Sequence, residues 1–109
     1  MTYVNLNSPT YALESSASSS SITLRSDHVD KTVFIICNDT ANTVFVVSGE
    51  TAPTAVFPTS ATVPVDGKVI PSGQTVAFGK KPGHGFISMI STAADAGKYV
   101  YVSVSMGGE

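Results

Sequence analysis

Tryptophan is absent from this 109-residue chain, cysteine occurs once, and Asp, Glu, Lys and Arg together make up 13% of it. Each shortage excludes something. A single cysteine, Cys37, rules out an intrachain disulfide framework. Its place in the apolar run Val33-Phe34-Ile35-Ile36-Cys37 predicts an inert core thiol. No basic cluster exceeds Lys80-Lys81. A nucleic-acid partner is therefore not expected, because binding one needs several cations along a face to release counterions. The same scarcity disfavours an anionic membrane surface. No apolar run approaches the ~18 residues of a spanning helix. The opening "MTYVNLNSPTYALESS" has neither a basic start nor an apolar centre, so no signal peptide is expected.

The shortage of charge is the most informative of these. Globular chains usually carry about 25% charged residues; this one carries 13%, with a net charge of −2. Ser, Thr, Asn and Gly take the place of charge. Such a surface desolvates at little cost, as interface cores do. The composition points to a protein that lives against neighbours, with a secreted β-domain as the competing reading.

What is present reads as one domain. Residues 1–21 stand apart: Tyr3, Val4, Leu6, Tyr11 and Leu13 are apolar anchors, followed by the serine run "SSASSSS" at 15–21. Serine runs behave as flexible linkers. The expectation is an extended N-terminal arm over 1–21 and a folded domain over 22–109. The domain is all-β, with about eight short antiparallel strands expected at 21–26, 32–37, 43–49, 54–57, 62–65, 74–79, 85–91 and 98–105. Val, Ile, Thr, Tyr and Phe enrich these runs, and Asn38-Asp39, Pro53, Pro58, Asp66-Gly67, Ser72-Gly73, Pro82-Gly83 and Ala96-Gly97 punctuate them. That spacing predicts a sandwich or barrel. The stretch 32–49 reads as a β-hairpin whose first strand is apolar on both faces, hence central or covered. Residues 91–97 have room for one helical turn. In the last strand, Val100, Val102 and Val104 share the core face, while Tyr99 and Tyr101 face outward toward a neighbour. Val76 and Phe78 point inward by the same alternation.

Candidate chemistry is sparse. Asp27, His28 and Asp30 lie close together, but no second cluster completes a metal shell, and a solvated loop is expected. "GKKPGHGF" at 79–86 is no phosphate loop: its lysines precede the second glycine and a strand follows. His84 there is a loop-tip residue suited to a partner contact. No G-x-S-x-G elbow accompanies the serines, and the acids are scattered at turns rather than paired. Asn38-Asp39-Thr40 fits the glycosylation pattern, but turn formation explains it better. No enzyme, cofactor or metal is expected.

The segments "VFIICNDTANTVFVVSG", "GKVIPSGQTVAF", "GHGFISMIS" and "YVYVSVSMGGE" together resemble small virion proteins of tailed bacteriophages. The likeness runs over roughly residues 32–109 and consists of strands and turns, so it carries over no site residues. It implies a β-sandwich or jelly-roll protein of the capsid decoration or cement type. The expected partners are the major capsid protein and further copies of the chain, as a homodimer or homotrimer. The expected place is the outer capsid surface, after synthesis in the host cytoplasm, which suits a lone thiol. Interface candidates are Tyr3, Val4, Leu6, Tyr11, Leu13, His84, Tyr99 and Tyr101. A neck, tail or fibre-associated protein is the first alternative, and a carbohydrate-binding adhesion sandwich the second.

Overall fold

The computed structural model describes residues 9–81 and 83–105. Eight strands follow one another: β1 (Thr10–Ser15), β2 (Ser20–Thr23), β3 (Val33–Asn38), β4 (Val44–Gly49), β5 (Lys68–Ile70), β6 (Thr75–Gly79), β7 (Phe86–Ser91) and β8 (Asp95–Ser105). They form two four-stranded antiparallel sheets, ordered β1-β8-β3-β6 and β2-β7-β4-β5. The pairing obeys one rule: first with last, second with seventh, third with sixth, fourth with fifth. The chain is thus a long two-ply ribbon whose tip is the β4–β5 connection. Rolling the ribbon brings β8 beside β3 and β7 beside β4. This is the winding of an eight-stranded jelly roll.

Alternation within each strand decides what lies between the sheets. Phe34 and Ile36 of β3, Val100, Val102 and Val104 of β8, and the half-buried Tyr11, Leu13, Val76 and Phe78 come from the first sheet. Ile22, Val44, Val46, Ile70, Ile87 and Met89 come from the second. The three β8 valines are fully buried, as their period-2 spacing predicts. β3 is central in its sheet, between β8 and β6.

The stretch 32–49 is not a hairpin. β3 and β4 belong to different sheets, and the residues between them form an arch built on Asn38. This side chain is fully buried. Its Nδ2 donates to the carbonyls of Asn42 at 2.9 Å and Ile70 at 3.0 Å. Its Oδ1 accepts from Thr40 N at 3.2 Å and Thr40 Oγ1 at 2.7 Å. One amide therefore ties the arch to β5 across the sandwich. The return crossing, from β5 to β6, turns at Gly73, whose φ of +76° suits glycine. Gly73 N donates to Asn38 O at 2.9 Å, so both crossings lean on the same residue.

The expected arm is also corrected. Thr10–Ser15 is an edge strand paired with β8, and β2 begins inside the serine run, at Ser20. Tyr11 and Leu13 pack on the core rather than projecting from it. Tyr3, Val4 and Leu6 lie outside the described residues. The expected strands at 54–57 and 62–65 do not form. Pro53, Pro58 and Pro64 interrupt this stretch and cannot donate to a ladder. Side chains serve its backbone instead: Ala55 N donates to Ser19 Oγ, and Thr62 N and Val63 N donate to Ser60 Oγ. The second sheet takes its edge strand from Lys68–Ile70. The expected strand at 21–26 ends at Thr23 and gives way to a 3-10 turn at Ser26–His28. No helical turn forms at 91–97; β8 starts at Asp95 after a register shift opposite Glu14/Ser15. Cys37 is half-buried rather than in the core, because inward Ile36 and Asn38 on either side turn it to the outer face.

Candidate functional site

The two sheets differ in what covers their outer faces. On the second sheet, residues 50–58 lie over the strands. Ala55 is buried there, Phe57 packs on Phe45 with ring centroids 5.9 Å apart, and Ser88 Oγ donates to the Pro53 carbonyl at 2.5 Å. Gly67 makes the close approach possible. A Cβ on it would stand 2.5 Å from the Phe45 ring and from Val46 O, and its φ is +129°.

The outer face of the first sheet has no such cover among the described residues. Its register sets out two rows across all four strands. One row is Ala12, Tyr101, Cys37 and Thr75; the other is Thr10, Ser103, Ile35 and Ala77. Tyr99 and Glu14 pair at one end, and Val33 and Gly79 at the other. Glu14 is the one charge in this set, and its Oε2 accepts from Gly97 N at 3.0 Å. Tyr99 and Tyr101 are 37% and 38% exposed, with ring centroids 6.2 Å apart. The face is nearly uncharged and carries two amphipathic rings that desolvate well. Tyr99 and Tyr101 were legible as outward residues. Ile35, Cys37 and Ala77 complete the face, and the same alternation applied to β3 and β6 finds them.

Tyr11 and Leu13 do not join this face. Tyr11 Oη lies 2.5 Å from His28 Nδ1 and accepts from Arg25 N at 3.0 Å. The tyrosine thereby clamps the 25–31 segment to the sandwich. His28 is buried, and no group of residues that could hold a metal occurs among the described residues. Arg25 and Asp27 pair at 3.0 Å on the surface. The hydrogen bond from Arg25 holds the Asp27 carboxyl below its ordinary value, and the same bond raises the Arg25 guanidinium.

Lys80 is 4% exposed. Its ammonium donates to the carbonyls of Val29 and Lys81 and stands 5.9 Å from the centre of the Phe34 ring. Burial pushes its pKa below 10.5, against a smaller upward pull from Asp30.

A cleft of about 480 Å³ opens between the sheets, on the side where β5 and β6 are the edges. The two edges are unequal: β5 has three residues and β6 has five. The cleft walls are Phe34, Ile36 and Phe78 from one sheet and Val46 and Ile87 from the other; Asp66, Lys68, Lys81 and His84 also line it. His84 is half-buried here rather than free at a loop tip. Its Nδ1 is 2.9 Å from Ser48 Oγ. No carboxylate hydrogen-bonds this imidazole among the described residues, so the pair lacks the third group that orients a catalytic base. Lys68 faces its inner-face neighbour Val46 in the register, and an inward charge at an edge also discourages strand addition.

No protein-family model, curated protein or solved structure matches the chain.

Proposed function

We propose that the chain is a structural protein of a bacteriophage virion, which decorates the outer capsid and stabilises it by clamping neighbouring major capsid subunits. The observation that carries this reading is the outer face of the first sheet, which has no cover among the described residues and whose paired residues are uncharged apart from Glu14. A monomer alone in water gains nothing from a four-stranded face of Tyr, Ile, Cys, Val, Ala and Thr. Jelly rolls serve in capsids and in lectins, and fold alone does not choose between uses. The composition favours assembly, since charge is depleted throughout the chain.

The size of the face bears on mechanism. Four strands about 4.8 Å apart and six residues at about 3.3 Å each span roughly 19 by 20 Å. That is about half of the ~800 Å² per partner of a standard interface. One copy therefore binds weakly through this face, and strength comes from many copies acting together. A homodimer or homotrimer on the shell multiplies the contact in the same way. The sandwich supplies rigidity and the tyrosines supply the anchors.

The test is the copy number and position of the chain in purified virions, by mass spectrometry and imaging. Hundreds of copies on the shell support the reading, and Tyr101→Asp then lowers their occupancy. A dozen or fewer place the protein at the neck, tail or fibre. Absence from particles sinks the virion reading. The neighbouring exposed rings of Tyr99 and Tyr101, tilted by 38°, favour carbohydrate binding as the second reading, and a glycan array tests it.

A further inference from the structure

The interlayer cleft has no part in the assembly reading and does not depend on it. We propose that it is a binding site for a small amphiphilic anion, an unbranched acyl chain ending in a carboxylate, with the chain between the sheets and the carboxylate at the mouth.

The walls come first. Phe34, Ile36, Phe78, Val46 and Ile87 line the cleft from both layers, and four of them are among the buried residues of the core, Phe78 being packed against it. The cleft is thus an extension of the core toward solvent. At about 480 Å³ it lies within the roughly 300–1,000 Å³ of small-molecule sites. An alkyl chain gives up no hydrogen bonds against these five apolar walls, and the polar lining is left for a head group.

The lining charges choose the head group. Lys68 and Lys81 stand against a single acid, Asp66. Ser48 and His84 supply a hydroxyl and an imidazole held 2.9 Å apart. Glu50 stays outside the lining, beside Gly83. Two cations to one anion favour an anionic head, and the ladder fixes Lys68 at the inner edge of β5, opposite Val46. The mouth lies at the start of β5, where Asp66, Gly67 and Lys68 line it.

Calorimetric titration of the full chain with sodium decanoate, below its micellar concentration, tests the site. Decyltrimethylammonium bromide serves as the cationic counterpart with the same tail. One decanoate per chain is expected, at least tenfold tighter than the ammonium. Lys68→Glu with Lys81→Glu should reverse that preference. If the double variant does not fold, Lys81→Gln alone should weaken decanoate and leave the ammonium unchanged. In methyl NMR, Ile36, Val46 and Ile87 should shift on decanoate addition. No binding, equal binding of both amphiphiles, or shifts confined to Val56 and Val63 on the 50–67 connection would overturn the proposal.

Discussion

Replacing Asn38 with alanine should cost about 3 kcal/mol, and the figure follows from what its amide holds. Four hydrogen bonds end on this fully buried side chain. Two of its partners keep an alternative: Asn42 O still accepts from Thr40 Oγ1 at 3.0 Å, and that hydroxyl still meets Asn42 N at 3.3 Å. Thr40 N and Ile70 O lose the amide outright. A buried polar group left without its partner costs about 1–3 kcal/mol, so two give about 3 kcal/mol when each sits near the low middle of that range. Domains of this size have about 5–15 kcal/mol in total. In urea, with a slope of about 1.5 kcal/mol per molar, the midpoint should fall by about 2 M. Asn42→Ala is the control, because its side chain makes a single exposed bond to Ala93 O at 3.3 Å; it should cost under ~1 kcal/mol. Asn38→Asp adds a sign. An oxygen would replace Nδ2 against two carbonyls, so the native state favours the protonated acid and raises its pKa. The variant should approach wild type below the ordinary value of about 3.9 and lose stability as pH rises through the raised native value. An Asn38→Ala midpoint within ~0.5 M of wild type would refute the view that this amide fastens the arch.

Gly67→Ala should destabilise by about 2–4 kcal/mol, since the φ is left-handed and the new Cβ meets Phe45 and Val46; thermal unfolding measures it. Tyr11→Phe should cost about 1–2 kcal/mol by releasing His28 and Arg25 N, and deletion through residue 15 should abolish folding, where loss of a free arm would leave the unfolding midpoint unchanged. Lys80 has a native pKa below 10.5, so the unfolded chain binds more protons between the two values and stability should rise with pH across that window. Unfolding curves for wild type and Lys80→Met at several alkaline pH values should differ by that slope, and identical slopes would contradict it.

Strand identity and facing were largely legible in the sequence, because both rest on local alternation. Val100, Val102 and Val104 against Tyr99 and Tyr101 is the clearest case, and the structure bears it out. Partner choice was not legible. The run through Asn38-Asp39 has the look of a hairpin turn, and nothing local says that Asn38 binds Ile70 O, 32 residues away. The serine run misled in the same manner: Ser20 and Ser21 are poor core formers, yet a ladder to Ser88 and Met89 of β7 recruits them. Proline was given too little weight at 53–64: Pro53 and Pro58 read as punctuation, yet the valines still suggested strands, one of them through Pro64, that three missing donors prevent. The cleft was beyond local reading, since its lining is drawn from β3 to β7 and the loops between them.

The ribbon pairing has a consequence for how the molecule is made. Thr10 and Ser103 share a side-chain hydrogen bond across 93 residues of sequence, and β8 sits between β1 and β3. While the chain is being synthesised, the first sheet lacks an interior strand until β8 has emerged. Until then β1 has no neighbour in its sheet, and one side of β3 presents an open edge to other nascent chains. The first sheet must therefore wait for β8 before it closes, on the slow millisecond-to-second scale of non-local β topologies. A chain cut short within β8 is left with a split sheet rather than a slightly weaker one.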